Sequence, residues 1–207
     1  MKLELVSKEI LDSIEVKKKI NADSDLIKQI IQISTDCISS LNKGGKIIFC
    51  GNGGSFADAQ HLSAEFTSRF LFDRPALASV ALGTNNSGIT AMGNDYGYDK
   101  VFSRELEAIG SDKDIFIGIT TSGNSPNIIN AVDVANKLGI KTYILTGKTG
   151  GILKSKAECL NVPSNETPRI QESHIMIGHI ICGFVEKTLF KELDPSLETT
   201  IKKIKDV

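Results

Sequence analysis

The sequence has no tryptophan and only three histidines, His61, His174 and His179, so few side chains could serve as imidazole ligands or proton carriers. Its 24 basic and 25 acidic residues leave a formal net charge of -1, and no global field would attract nucleic acid or an anionic membrane. No apolar run approaches the ~20 residues of a membrane span, and the charged N-terminus lacks the apolar core of a signal peptide. We therefore expect a cytoplasmic protein with no nucleic-acid or membrane partner.

The four cysteines are widely separated and form no C-x-x-C pair. Without zinc-ribbon or redox spacing, they are interpreted as small apolar core residues in a reducing compartment. The 207 residues fit one domain that needs no disulfides, and no linker or internal repeat divides them. We predict a single domain over 1–207, with N-terminal helices at 1–44, a core at 45–190 and a charged C-terminal tail at 191–207.

Apolar residues at helical spacing predict two amphipathic helices in the first 44 residues, with Asp23 or Ser24 as the N-cap between them. The pattern then changes to short β-rich runs separated by helices. Strands are predicted at 46–50, 77–82, 114–120, 141–146 and 158–162, and helices at 55–70, 98–108, 126–138 and 169–190. This alternation predicts a three-layer, doubly wound α/β sandwich with a five-stranded parallel sheet. The last helix is apolar on more than one face, so we expect it to pack on the sheet and on another subunit.

Two polar loops follow predicted strands and precede predicted helices, where open parallel sheets bind ligands. The first has the sequence GNGGS at residues 51–55, and its glycines allow a ligand to approach the backbone. No Walker lysine follows it, and Phe56 stands where a dinucleotide fingerprint needs its third glycine, which disfavours nucleotide binding. The second, TTSGNS at 120–125, supplies four hydroxyls that suit phosphate oxygens, although Ser125 could instead be only an N-cap.

The residues able to do acid–base chemistry lie on two predicted helices. His61 and Glu65 are four residues apart and face the same way, although such pairs are common and weak evidence alone. Gln171 and His179 lie eight residues apart on the last helix, so a group shared with His61 would lie between the helices. Moving a carbonyl between the first two carbons of a sugar needs a base that carries a proton between the carbons and an acid that moves protons between the oxygens. Glu65 is the better candidate for the base and His179 for the acid. His174 is assigned as a surface or core histidine.

Four ordered strings resemble the phosphoheptose isomerase family of sugar isomerase (SIS) domain proteins: CGNGGSFADAQHLSAEF, GNDYGYDKVFSRELEAIG, TTSGNSPNIINA and TPRIQESHIMIGH. They cover most of residues 45–190, so the predicted core would be a SIS fold. The resemblance implies isomerisation of sedoheptulose 7-phosphate to D-glycero-D-manno-heptose 7-phosphate through an enediol, the first step of bacterial heptose biosynthesis. It also implies a homotetramer with active sites between subunits.

The resemblance assigns roles to individual residues. Glu65 and His179 match the family's catalytic base and acid. Some members bind zinc through the positions of His61, Glu65, Gln171 and His179, which implies one zinc ion per subunit. Because this donor set lacks thiolates, an exchangeable ion is favoured over a permanent one. The substrate-binding positions, with the phosphate held by the loop at 120–125, are Asn52, Gly53, Gly54, Glu65, Asn94, Asp95, Thr120, Thr121, Ser122, Ser125 and Gln171.

Two alternatives stay open at this point. One is a related SIS adaptor that binds the replication initiator protein, in which the positions of Glu65 and His179 hold residues unable to act as base and acid. Both residues are intact here, which disfavours it. The other is a different sugar-phosphate isomerase or a sugar-phosphate-sensing SIS domain. No basic helix-turn-helix is evident, and a phosphopentose or phosphohexulose isomerase would differ in pocket length.

Overall fold

The computed structural model describes residues 2–194, and the rest of the predicted tail lies outside them. Within these residues the chain forms seven α-helices, five strands and three short 3₁₀ helices. The α-helices are α1 (Lys2–Ala22), α2 (Ser24–Asn42), α3 (Gly54–Thr67), α4 (Asn86–Tyr96), α5 (Val101–Ile109), α6 (Pro126–Lys137) and α7 (Thr167–Leu189). The strands are β1 (Ile47–Gly51), β2 (Ser79–Ala81), β3 (Ile115–Ile119), β4 (Lys141–Thr146) and β5 (Glu158–Asn161). The 3₁₀ helices are Tyr98–Lys100, Gly151–Ser155 and Lys191–Leu193.

The five strands form one sheet in the order β2-β1-β3-β4-β5, and every neighbouring pair is parallel. This confirms the predicted doubly wound α/β sandwich with a five-stranded parallel sheet. The strand order reverses direction between β1 and β3. In open α/β sheets, the crevice at such a switch point is where ligands bind. The loops that follow β1 and β3 are the two polar loops singled out in the sequence.

Two apolar cores lie on the two faces of the sheet, because successive strand residues point to opposite sides. Ile47 and Phe49 of β1 join the core formed with α2, α3 and α7. Ile48 and Cys50 join the core formed with α5 and α6. All four cysteines are free thiols, and three of them are buried. None of the helices in residues 2–194 is long and apolar enough to cross a membrane.

The predicted strands agree with the observed ones within two residues, but one helix is missing from the prediction. That helix is α4, which has no buried residue and packs on the core through the partly buried Ile89 and Met92, too short an apolar stripe to reveal it. The predicted helix at 98–108 is divided into a 3₁₀ turn, Tyr98–Lys100, and α5. Of the two proposed N-caps before α2, Asp23 is the cap, because its carboxylate accepts from the N–H groups of Asp25 and Leu26.

His174 is a core residue, fully buried on α7 with Nε2 3.2 Å from the Thr146 carbonyl oxygen. Burial lowers the pKa of this imidazole from 6.5 to about 4. Below pH 6.5 the unfolded chain therefore takes up a proton that the folded chain does not. Stability from this group is complete above pH 6.5 and is lost as the pH falls toward 4.

We expect the free energy of unfolding to fall by about 2 kcal/mol between pH 7 and pH 5 because of His174 alone, at about 1.4 kcal/mol per pH unit. Urea unfolding of the wild type and of His174→Gln at both pH values measures this contribution. The variant should show a smaller loss than the wild type. Equal losses in the two proteins would contradict the assignment of His174 as the acid-sensitive core group.

Candidate active site

Helices α3 and α7 pack side by side and bring three of the predicted residues together. His61 Nε2 lies 3.1 Å from Glu65 Oε1, one helical turn along α3. It also lies 2.9 Å from Nε2 of His179 on α7. Two imidazole nitrogens at this distance need a proton or a cation between them, because neutral nitrogen lone pairs repel each other. The predicted His61, Glu65 and His179 cluster is therefore present within one chain.

This cluster has the geometry of a metal-binding group. One donor atom from each of His61, Glu65 and His179 lies within 4.8 Å of the other two. Two imidazoles and a carboxylate are the ligand types that leave an open position on a catalytic zinc ion. The donor set therefore fits a divalent metal with room for substrate oxygens.

The surroundings of His179 set its protonation. Burial lowers the pKa of its imidazole, the neighbouring His61 lowers it further, and Glu65 opposes both effects. The Phe70 ring stacks on His179 with the ring centroids 5.3 Å apart. His179 also lines an apolar groove with Phe70, Leu71, Ile175, Met176, Ile180, Gly183 and Phe184. The imidazole therefore lies at the border between the polar cluster and an apolar surface.

A buried ion pair that sequence reasoning missed anchors this part of the site. Arg74 Nε donates to Glu186 Oε1 at 3.0 Å, and both side chains are 1% exposed. Arg74 also donates to the carbonyls of Glu65 and Phe66 at the end of α3. Glu186 accepts from the N–H groups of Phe70 and Leu71. The pair thus joins the end of α3, and the segment that carries Phe70, to α7.

The first polar loop meets α7 at the N-terminal end of α3. Gly53 takes a positive φ of 55° at the N-cap position of α3, a conformation that glycine adopts readily, and makes no side-chain capping bond. A Cβ on Gly54 would lie 2.7 Å from Gln171 Nε2, so a larger residue there would displace the Gln171 side-chain amide. The predicted residues Gly53, Gly54 and Gln171 are therefore brought together.

Gln171 and His179 are eight residues apart on α7, which corresponds to about 12 Å along the helix axis. Gln171 lies at the level of Gly54, whereas His179 lies at the level of His61. The predicted ligand Gln171 is thus grouped with the first loop, at the other end of the α3–α7 contact from the imidazoles. Its part in metal binding stays a prediction.

The second polar loop lies at the N-terminus of α6 and packs against the 3₁₀ helix Gly151–Ser155. Gly123 has φ 67°, and a Cβ there would lie 2.0 Å from the Gly150 carbonyl oxygen. Ser125 occupies the N-cap position, but its side chain makes no capping hydrogen bond and lies 3.1 Å from Thr120 Oγ1. This disfavours the reading of Ser125 as only an N-cap. The positive end of the α6 dipole attracts an anion here, although Pro126 has no N–H and the N–H groups of Ile128 and Ile129 are already hydrogen-bonded.

Asn94 and Asp95 lie near the C-terminal end of α4, where the Asn94 side chain donates to the Asp95 carboxylate at 2.9 Å. This segment reaches the first loop through Tyr98, whose hydroxyl lies 2.9 Å from Asn52 Oδ1. Tyr98 was not among the predicted site residues, although it belongs to the string GNDYGYDK. Membership of that motif is the signal that could have identified it.

Hydroxyl- and amide-rich loops at the switch point, beside a carboxylate and two imidazoles, define a SIS-domain protein of the sugar-phosphate isomerase class. The SIS domain family profile matches residues 8–147, more than half of the chain. The phosphoheptose isomerase of Aneurinibacillus thermoaerophilus is 54% identical over 90% of this chain and 94% of its own. That of Sulfurimonas denitrificans is 53% identical over 89% of this chain and 95% of its own. The chain belongs to the phosphoheptose isomerase family of SIS-domain proteins, which are aldose–ketose isomerases.

A solved structure supports the same assignment. The phosphoheptose isomerase of Neisseria gonorrhoeae is 40% identical, with a TM-score of 0.84 over 90% of this chain and 100% of that chain. The family and the SIS fold predicted from the four sequence strings are therefore confirmed. The comparisons do not support the adaptor alternative.

Proposed function

We propose that this protein interconverts sedoheptulose 7-phosphate and D-glycero-D-manno-heptose 7-phosphate through an enediol, at the start of bacterial heptose biosynthesis. The observation that carries the proposal is the cluster of His61, Glu65 and His179 in a chain of this family. A carboxylate and an imidazole are the two groups that the reaction requires.

In this proposal Glu65 is the base and His179 the acid. Starting from the ketose, Glu65 removes a proton from C1 and returns it to C2. His179 donates a proton to the oxygen on C2 and takes one from the oxygen on C1. Glu65 Oε1 faces His61, so its second oxygen is available for proton transfer. At neutral pH the lowered pKa of His179 favours the neutral imidazole, in which one ring nitrogen donates and the other accepts.

Zinc is the proposed metal, at one ion per subunit, held by His61, Glu65 and His179, with Gln171 as the fourth predicted ligand. A bound zinc ion would polarise the sugar oxygens as a Lewis acid. Glu65 has two carboxylate oxygens and His179 two ring nitrogens, so each residue would hold the ion through one atom and keep the other for proton transfer. The thiolate-free donor set supports an ion that exchanges.

When chelator-treated protein is titrated with zinc in an isothermal calorimeter, we expect about one site per subunit. This number follows from the single cluster of ligands in residues 2–194 of each chain. His61→Ala should lose this site, because it removes the nitrogen between Glu65 and His179. Gln60→Ala, at an exposed position on the same helix, should bind zinc like the wild type. Unchanged binding by His61→Ala would place the metal elsewhere.

The loop at 120–125 is the proposed phosphate site, with the first loop and Asn94 and Asp95 contacting the sugar. Ser122 is exposed, and its Oγ accepts from the Asn124 N–H at 3.2 Å, which leaves its own O–H to donate. Thr120, Thr121 and Ser125 supply the other hydroxyls of this loop. The positive end of the α6 dipole adds to the attraction for an anion.

Ser122→Ala should raise KM about tenfold and change kcat by less than about threefold, because one hydrogen bond to a charged phosphate is worth about 1.5 kcal/mol or more. Steady-state kinetics with sedoheptulose 7-phosphate measure both constants. Ser155→Ala removes an exposed hydroxyl that donates to the Ile152 carbonyl, and it should behave like the wild type. A large loss of kcat at constant KM would contradict the phosphate assignment.

We also propose the homotetramer, with active sites between subunits. Support comes from large apolar side chains left exposed on α1 and α7, including Ile180 at 47% and Phe184 at 40%. Contiguous apolar surface of this kind marks association sites. His179 lines the groove that contains Ile180 and Phe184, so a subunit packed there would border the catalytic cluster. Sedimentation of a single-chain species at micromolar concentration would contradict this proposal.

The division of the chain into helices at 1–44, a SIS core at 45–190 and a tail at 191–207 of one domain is part of the same proposal. It is supported by the two cores that share one sheet. The cytoplasmic location stays a prediction, supported by the free state of all four cysteines.

The function is tested by incubating the purified protein with sedoheptulose 7-phosphate and following aldose formation by NMR. Fructose 6-phosphate and ribulose 5-phosphate are tested as shorter alternative substrates. Higher kcat/KM for the seven-carbon ketose is the expected result, because pocket length distinguishes these sugars. Preference for either shorter ketose would move the assignment to a phosphohexulose or phosphopentose isomerase.

A further inference from the structure

A hydrogen-bonded network of three side chains joins the first polar loop to the start of α6 and to the segment after α4. Asn52 and Asn127 face each other, and each amide nitrogen donates to the other's oxygen at 2.9 Å. The Tyr98 hydroxyl donates to the same Asn52 oxygen at 2.9 Å. Asn127 is 2% exposed, at the start of α6, and Asn52 is half-buried. The network therefore has a buried anchor and a partly open end.

The orientation of both amides is determined by a backbone group. The Ile128 N–H donates to Asn127 Oδ1 at 3.0 Å, and a backbone N–H can only donate. Asn127 Nδ2 must then face Asn52, which requires Asn52 to present its oxygen to that nitrogen. The same pairing directs one Asn52 N–H to Asn127 Oδ1.

Counting donors and acceptors shows what Asn52 has left for a ligand. Its oxygen accepts from Tyr98 and Asn127, so both lone pairs are engaged. One of its two N–H groups bonds Asn127, and the other has no hydrogen-bond partner among residues 2–194. Asn52 can therefore donate one hydrogen bond but can accept none.

We infer that Asn127 and Tyr98 are positioning residues that hold Asn52 as a donor-only group, directed at an acceptor oxygen of the sugar phosphate. This inference rests on the proposed function, because it deepens the role of a substrate-binding residue. Both residues act through Asn52. Without them, the Asn52 amide could rotate and present its oxygen to the substrate, where it would repel an acceptor.

The test is a set of double-mutant cycles on kcat/KM and on the Kd for sedoheptulose 7-phosphate. Tyr98→Phe should lower kcat/KM about fivefold, as expected for one neutral hydrogen bond. Asn127→Asp keeps an acceptor for the Ile128 N–H but loses the donor to Asn52, and it should lower kcat/KM at least tenfold. In the Asn52→Ala background, each change should have less than about a 1.5-fold effect. Tyr96→Phe, the matched control beside Arg104, should change nothing.

The polarity of Asn52 is tested by Asn52→Asp, which replaces the donor with an acceptor of the same size. It should lose at least as much affinity as Asn52→Ala. Retained affinity in Asn52→Asp, or additive effects in the cycles, would overturn the inference. Since Asn127 is buried, circular dichroism must show that its variant is folded; Tyr98→Phe, at an exposed position, keeps the test valid if that variant unfolds.

The outcomes separate this inference from the proposed function. A wild type that turns over, with additive cycles, contradicts the inference alone. A wild type that binds sedoheptulose 7-phosphate without converting it contradicts the proposed function, and the Kd cycles then decide the inference. A wild type that neither binds nor converts it contradicts both.

Discussion

Glu65→Gln is expected to lower kcat by roughly 10³-fold, within the range for removing a general base. Glutamine has the size of glutamate and still accepts a hydrogen bond from His61, but it cannot take a proton from carbon. The Kd for sedoheptulose 7-phosphate should change by less than about threefold, because the phosphate loop and Asn52 are untouched. NMR analysis of reactions quenched at fixed times gives kcat, and calorimetry gives Kd.

Glu107→Gln is the matched control, since Glu107 is an exposed acid that pairs with Arg104 on the same helix. It should retain wild-type kcat. Near-normal turnover by Glu65→Gln would mean that another group removes the carbon-bound proton. Loss of binding without loss of kcat would make Glu65 a binding residue rather than the base.

Arg74→Ala is expected to lower the free energy of unfolding by about 3–5 kcal/mol, because it leaves the Glu186 carboxylate buried without its counter-charge. It also removes the donors to the Glu65 and Phe66 carbonyls, so the end of α3 should loosen. Chemical unfolding at fixed protein concentration measures the loss. We expect kcat to fall as well, since Glu65 and Phe70 both depend on this pair for their positions.

Arg104→Ala removes an arginine from an exposed pair with Glu107, and it should cost less than about 1 kcal/mol. The contrast between the two arginines isolates the effect of burial. If Arg74→Ala were as stable as Arg104→Ala, the Arg74–Glu186 pair would not anchor the site.

The sheet was predictable from sequence because its strands are buried on both faces. Uninterrupted runs such as IIFCG in β1 and IFIGI in β3 can only be central strands between helical layers. Helix α4 was not predictable, because it has no buried residue and packs on the core through the partly buried Ile89 and Met92, which is too short an apolar stripe to show a helical period. The edge strand β2 was predicted too long, at 77–82. Its pairing with β1 covers Ser79–Ala81, and the sequence pattern does not show where this pairing ends.

The cluster of His61, Glu65 and His179 was predictable in part. The spacing of four residues places His61 and Glu65 on one face of α3. No sequence pattern predicts that His179 Nε2 lies 2.9 Å from His61 Nε2. That distance follows from the packing of α3 on α7. Arg74 and Asn127 were missed because their roles come from burial, and a lone arginine or asparagine in sequence gives no sign of it.

The central claim is enediol isomerisation by Glu65, and the most direct test is the reaction of sedoheptulose 7-phosphate in deuterated water, with and without zinc. NMR follows both aldose formation and deuterium on carbon. We predict aldoheptose 7-phosphate carrying deuterium at C2, because a carboxylate base exchanges its proton with solvent before returning it. Absence of product in every metal condition would contradict the claim and would direct attention to a protein partner.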